Sequence, residues 1–453
     1  MLLTKRIFAI SIFTIIITSN ANAAGFTSSY NSASGVGSAF AGASAIAEDA
    51  STTFYNPAGL SKLDGNQVVV AGHYASPSAG FTNNGSARNP ALGAGALSGE
   101  NDDPTDPGFI PNLYYANKLN DQWTFGLGIT VPFGNATEYS DTWVGRYHAT
   151  KTEITVLNIN PSASFKVNDK LSAGFGVNVQ YADATLANQI DSAAVCLKLT
   201  GNDIATCTGL GLATLGNAAT DSSVSLAGDN WSLGWNIGLL YDISDATRLG
   251  VAYRSNVKHE VSGTADFTRT AGLEALLGAS TAFADSGMTT EITLPETLSL
   301  SVHQTLSPKW TMLGDVTWTK WSRFDKIVVN YGSAHPTSTL QQNWEDSLRY
   351  SLGVNYQADA KWIYRAGLAF DESAISTAEK RSARTPDTNR TWLSFGFGYK
   401  MSATSSIDVG YTHIFFDDAP INNSDATNTF GHTLTGSYDI SADIFSAQFN
   451  WDF

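Results

Sequence analysis

The chain has 453 residues and a formal charge of −15, from 26 basic and 41 acidic side chains. No basic stripe offsets phosphate repulsion, so nucleic acid is excluded as a partner. Only 15% of residues are charged, 11% are aromatic, and no stretch after the N-terminal leader reaches 18 consecutive apolar residues, which excludes helical membrane spans.

In chain order, Lys5 and Arg6, the apolar run from Ile7 to Ile17 and the small residues Ala21-Asn22-Ala23 read as a secretory signal peptide over residues 1–23. Residues 24–65 form a second unit. It is mostly Gly, Ala, Ser and Thr up to Thr53 and closes on Phe54-Tyr55-Asn56-Pro57-Ala58. Small residues pack closely against a wall, Gly35, Gly37 and Gly42 permit tight turns, and Pro57 stiffens the exit. A plug inside a larger shell and a flexible leader share this composition, which leaves both open.

From residue 66 to 453 the pattern is alternation. Leu171, Ala173, Phe175, Val177, Val179 and Tyr181 oppose Ser172, Gly174, Gly176, Asn178 and Gln180; Phe445, Phe449, Trp451 and Phe453 oppose Ser446, Gln448, Asn450 and Asp452. Such strands have one oily and one wet face. A soluble sandwich alternates too, but its strands run to about six residues, whereas these reach roughly 12 to 20. Aromatics such as Trp231 and Tyr241 gather toward the ends of the oily parity, and the chain stops on Phe453. Short turns near Asn120-Asp121, Asn168-Asp169, Ser244-Asp245, Ser307-Pro308, Ala358-Asp359 and Ser402-Ala403 alternate with long loops at 82–107, 136–150, 189–229, 262–287, 332–341, 373–387 and 418–437. The fold class is therefore all-β: a transmembrane antiparallel barrel of about 14 strands, oily outside and wet within.

Val131-Pro132-Phe133-Gly134 interrupts the third strand. Proline cannot donate to the ladder and glycine permits a bulge, so pairing should fail there, unless the strand simply ends. Cys196 and Cys207 sit close together in a polar segment, and the sequence leaves their pairing open. Leu- and Ala-rich loop segments at Leu210–Ala219 and Leu273–Phe283 suit short helices, either packed on one another or bordering an apolar groove. His303 beside Ser301 and Ser299 is a spacing that arises freely in a Ser-rich strand. No enzyme, cofactor or metal site is expected.

The order Ala24-Gly25-Phe26, Ser34-Gly35-Val36-Gly37, Ala45 to Ala50 and Asn56-Pro57-Ala58 strongly resembles the hatch of the FadL family of outer-membrane long-chain fatty acid transporters. Thr137-Glu138-Tyr139, Tyr253-Arg254-Ser255, Leu294-Pro295-Glu296, Trp318 to Ser322 and Trp392-Leu393-Ser394 extend the likeness over essentially the whole mature chain. The resemblance implies a monomeric barrel in the outer membrane of a Gram-negative bacterium, passing fatty acids or similar hydrophobic molecules. It implies a hatch including Phe26, Glu48, Asp49, Asn56, Pro57 and Ala58, with Phe26 near the ligand. It also implies a lateral opening into the outer-membrane lipid at Pro132, Phe133 and Gly134.

Parity places Arg254, Arg349, Arg365 and Arg390 toward the lumen, where each needs a partner: Glu48 and Asp49 of the hatch, or a fatty acid head group. Positions that are basic in the best-known fatty acid transporter fall here near Asn188 and Glu345, neither basic. That departure keeps aromatic hydrocarbons, which other members of the family pass, open as substrates. A general porin and an adhesin are the remaining alternatives.

Overall fold

The computed structural model describes residues 25–424 and 430–453, so the leader read at 1–23 lies outside the described residues. The alternating segments form fourteen spans: β1 Asn66–Asn83, β2 Gly108–Lys118, β3 Trp123–Glu138, β4 Lys151–Lys166, β5 Leu171–Ile190, β6 Ser222–Ser244, β7 Thr247–Arg254 with Val257–Thr268, β8 Ser286–Leu294 with Thr297–Ser307, β9 Trp310–Thr319 with Lys326–Tyr331, β10 Ser338–Gln341 with Ser347–Gln357, β11 Trp362–Asp371, β12 Arg390–Lys400, β13 Ser405–Phe416 with Ala419–Ser424, and β14 Thr433–Asp452. Each span pairs antiparallel with its neighbours. β14 returns to β1 from Gln67↔Asp452 to Asn83↔Gly436, which closes the sheet.

The outward parity is exposed along the middle of the wall: Leu233 at 68% and Leu352 at 69%, with Phe175, Leu300, Phe395 and Phe445 around half. A continuous belt of such side chains marks a surface whose surrounding medium is itself apolar, since exposing each to water would cost about 1.5–3 kcal/mol. Ring pairs Trp123–Phe165, Trp310–Tyr356 and Trp362–Tyr399, with centroids 4.5 to 4.8 Å apart, lie beside the short turns. Tyr181–Trp231, at 5.0 Å, lies toward the long loops. These are the two girdles of a membrane barrel.

Above the second girdle the two faces exchange character. On β6, Ser223, Ser225 and Asp229 point outward while Val224 and Leu226 are buried; below, Trp231 and Leu233 point outward while Asn236 and Gly238 are buried. β4 does the same, with buried Ile154 and Val156 giving way to buried Asn158, Asn160 and Ser162. On β8, buried Ile292 and Leu294 give way to buried Ser301. A barrel wet within throughout is therefore correct only for its lower half. The expected loops at 189–229 and 262–287 are also too long, because β6 already begins at Ser222 and β7 runs to Thr268. These extensions stand clear of lipid, so their outer face is polar and their inner face is the oily one.

Spans β7 to β10 and β13 are each interrupted. On β8 the break falls at Pro295-Glu296, where proline withholds a ladder N–H. On β9 the turn Trp321–Arg323 swings Trp321 and Phe324 into the interior.

The segment from Gly25 to Leu63 lies inside the lower barrel, as helical turns Ala33–Gly37, Ala43–Ile46 and Thr52–Tyr55 and a 3-10 turn Pro57–Lys62. Of the three glycines expected to permit turns, Gly42 alone has a left-handed φ, of 71°. The other left-handed positions in this stretch fall on Gly25 and on Ala39, Phe40 and Ala47, three L residues strained by about 1–2 kcal/mol each. Contacts with the wall hold them. Gly37 serves closeness instead: a Cβ there would lie 3.0 Å from the Cα of Gly396 on β12.

Candidate functional site

The base of the hatch is set by Asn56-Pro57-Ala58. The Asn56 side chain accepts from Ala58 N at 3.0 Å and donates to Ser44 O at 2.7 Å and to Leu239 O on β6 at 3.0 Å. The wall makes room with missing side chains, since a Cβ at Gly238 would collide with Asn56 and one at Gly174 with the Pro57–Ala58 backbone.

Three of the four lumen arginines contact the hatch directly, and Arg390 reaches it through Asp387. Arg365 is buried between Asp408, at 2.7 Å, and Glu48 of the hatch, at 3.1 Å. Arg390 is buried between Asp371 at 3.0 Å and Asp387 at 2.8 Å, and Asp387 in turn accepts from Gly25 N at 3.1 Å. Arg254 donates to Phe54 O at 2.8 Å and lies over the Phe54 ring, and Arg349 donates to the Ser29 hydroxyl at 3.0 Å. Asp49, expected opposite an arginine, is instead bound by the Gln448 amide at 2.8 Å and the Ser51 N–H. Arg248, missed from the sequence, pairs with Asp242 at 2.8 Å and donates to Ile46 O.

At the tip, Phe26 is enclosed by Trp321, Phe324, Trp344 and Phe133, with centroids 4.9, 5.2, 5.7 and 6.0 Å away. The two tryptophans come from the breaks in β9 and β10. Trp321 falls in the Trp318 to Ser322 stretch that resembles the family, whereas Trp344 was missed from the sequence.

The tip also meets the irregular part of β3. The ladder to β4 slips between Thr130 and Phe133, and the ladder to β2 stops at Leu113↔Ile129. Beyond that point β3 pairs with hatch residues: Ser28 N donates to Pro132 O at 2.8 Å and Gly134 N to Phe26 O at 2.9 Å.

Two cavities flank this junction. The outer one, about 730 Å³, is lined by Leu186, Ile190, Val195, Val224, Leu226 and Phe267, with Arg384 beside Asn188 at 3.1 Å. The inner one, about 120 Å³, lies against Thr27, Tyr55, Pro132, Phe133, Arg254 and Arg349. One apolar cluster, running from Phe133 through Phe26 and Trp321 to Leu186 and Leu226, joins them. Asn188 thus lies at the outer cavity with Arg384 supplied from another loop. Glu345 lies on the surface, paired with Lys380 at 2.6 Å.

The outer cavity is capped by the loops. Helices Ser192–Thr200 and Ile204–Gly209 replace the expected helix at Leu210–Ala219, and a third spans Ala271–Leu277. Asp191 and Asp203 cap the first two, and those caps outweigh Leu and Ala content. A disulfide joins Cys196 to Cys207. Buried Arg146 pairs with Asp221 at 2.7 Å, while burial holds the Asp221 carboxyl up at about 6 and pushes the Tyr147 hydroxyl far above its ordinary range. Ser299 and Ser301, on the same strand as His303, bind Asp315 and Ser44 of the hatch.

The family described as outer membrane protein transport protein (OMPP1/FadL/TodX) matches residues 14–453. The chain is 29% identical to the long-chain fatty acid transport protein of an Escherichia coli strain, over 100% of this chain and 99% of that one. It is 30% identical to outer membrane protein P1 of Haemophilus influenzae, over 96% of each. The solved structure of a Pseudomonas aeruginosa FadL homologue superposes with a TM-score of 0.83 at 23% identity, covering 95% of this chain and 100% of that one. The Pseudomonas putida toluene transporter TodX superposes at 0.66 and 19% identity, covering 89% and 94%. With a closed barrel, two aromatic girdles and a match along its whole length, the chain belongs to the OMPP1/FadL/TodX family of outer-membrane transport proteins and is a Gram-negative outer-membrane β-barrel.

Proposed function

We propose that this protein is a monomeric channel for passive uptake of long-chain fatty acids or similar hydrophobic molecules. It delivers them sideways into the outer-membrane lipid. The observation that carries this is the exchange of faces above the membrane, which encloses an oily chamber where a polar channel would need a wet one. The name and full-length similarity of the E. coli relative support fatty acids as the ligand; the toluene transporters share the fold at under 25% identity. A general porin is disfavoured because the hatch packs the lumen.

In this reading a ligand enters the outer cavity, passes the Phe26 rings and leaves where β2 and β3 are unpaired. Lateral exit suits an oily solute, since each methylene kept from water is worth about 0.8 kcal/mol. Arg365 with Glu48, Arg390 through Asp387, and Asn56-Pro57-Ala58 latch the hatch. Phe26 is the movable partition, and Arg384 and Lys198 are the cations lining the outer cavity where a head group would enter.

The test is Gly134→Val. A β-branched residue favours regular strand geometry and would close the irregularity in β3. Uptake of a radiolabelled fatty acid by cells should be lost while the barrel keeps its heat-modifiable mobility on gels. Uptake at the parental rate from a correctly assembled variant would overturn the lateral route.

A further inference from the structure

Of the four lumen arginines, two have carboxylates and two do not. Arg365 and Arg390 are each held by two acidic side chains. Arg254 is only 9% exposed, yet among the described residues no carboxylate lies within ion-pair distance of it or of Arg349. Their contacts are neutral. Arg254 meets the Asn178 amide oxygen, the Phe54 carbonyl and the Phe54 ring. Arg349 meets the Ser29 hydroxyl and lies over the Phe40 ring, and its buried Nε has no acceptor.

Taking a guanidinium out of water without a counter-ion is costly, and a hydrogen bond to a neutral oxygen offsets only part of that cost. Both arginines face the same inner cavity, which is bounded on its other side by Pro132 and Phe133. The hydroxyl-bearing Thr297, Ser299 and Thr317 also face it. Its one acidic neighbour, Asp371, is already bound by Arg390. The cavity therefore combines two guanidinium groups without an ion pair of their own, an unused donor at Arg349 Nε and a border on the unpaired side of β3.

We propose that Arg254 and Arg349 form an anion site below the Phe26 rings, which takes the carboxylate of an amphiphilic ligand while its alkyl tail leads out between β2 and β3. The inference rests on the uptake reading above and narrows it: the substrates are fatty carboxylates, not neutral hydrocarbons. It also separates the four arginines by role. Arg365 and Arg390 fasten the hatch, whereas Arg254 and Arg349 hold the ligand's head at the last station before the membrane.

The test uses the full-length protein in detergent with two probes of equal chain length, an 18-carbon fatty carboxylate and the corresponding alcohol. In the unaltered protein the carboxylate should bind more tightly. In Arg254→Met, Arg349→Met and the double variant, its Kd should rise at least about tenfold while the alcohol's stays within about twofold. Arg254→Lys and Arg349→Lys should recover most of the loss. Equal weakening of both probes, or a carboxylate preference kept in the double variant, would overturn the site. If the methionine variants fail to assemble, equal binding of the two probes to the unaltered protein overturns it on its own. If the unaltered protein binds neither probe, the uptake reading falls as well; if it binds both equally, only the anion site does.

Discussion

The lower and upper halves of this barrel are one continuous sheet with opposite interiors. Below the outer girdle, β4, β5 and β6 present Asn160, Asn178 and Asn236 to the lumen, and a hatch seated on glycines and ion pairs fills the space. Above it the same strands present Val156, Leu186 and Leu226, and the space is a cavity of about 730 Å³. Alternation constrains only which residues share a face; the medium outside decides which face is oily. Where lipid ends, the constraint on the outer face ends too, and the sequence is free to turn its apolar residues inward. The hatch tip lies at the changeover, fastened below by charge and wrapped above by rings.

That contrast is broken most severely from below. Arg365→Met removes the shared partner of Glu48 and Asp408, and leaving the buried Asp408 carboxylate without its cation should cost the docked hatch about 3–5 kcal/mol. Leak of small solutes and single-channel conductance in planar bilayers should rise while the barrel stays folded. Conductance unchanged from the parent would mean the hatch is not held there.

Phe26→Ala acts at the changeover. It empties a ring-lined site at a cost of about 3 kcal/mol, but leaves the ion pairs below intact. Fatty acid binding should change with little added leak. A leak as large as that of Arg365→Met would merge the two regions into one.

Leu226→Ser touches only the upper interior. Retention of a hydrophobic fluorophore by the purified protein should weaken by about 1–2 kcal/mol with no change in conductance. Full retention would show that the oily chamber does not hold ligand.

The smallest effect is expected in the cap. Asp221 titrates near 6 in the folded protein against an ordinary 3.8, so its protonated form favours the closed cap. That contribution is complete below the ordinary value and is lost as pH rises through about 6. Hydrogen-exchange protection of residues 213–220 should therefore fall between pH 5 and 7 and be flat in Asp221→Asn. The reverse trend would mean that the Arg146 pair dominates.

How much of this was legible in the sequence differs by half. The lower wall was, because lipid enforces alternation over long strands, and the same parity pointed Arg254, Arg349, Arg365 and Arg390 inward. Of their partners Glu48 was, and it meets Arg365, but which arginine it would meet was not, because that depends on how far Glu48 reaches across the lumen. Asp387 reaches Arg390 from a loop. The upper wall was misread as loop from Ser222 to Asp229, because Ser223-Val224-Ser225-Leu226 alternates in the opposite sense to the membrane strand it continues. The helices of the cap were placed by leucine content at Leu210–Ala219, although Asp191 and Asp203 before short apolar runs were the better signal. Trp321 and Trp344 owe their place to breaks in two neighbouring strands, and no local pattern announced that those breaks would lie at one height.

The run from Ser222 to Asn230 has a further consequence. Nine residues of strand at about 3.3 Å each, tilted by about 40°, raise the rim roughly 20 Å beyond the hydrocarbon boundary. On the route proposed above, a water-insoluble molecule captured at that height would be carried past the hydrated outer surface of the bilayer in a sheltered shaft. It would then emerge among acyl chains without ever having to dissolve in the layer that would repel it.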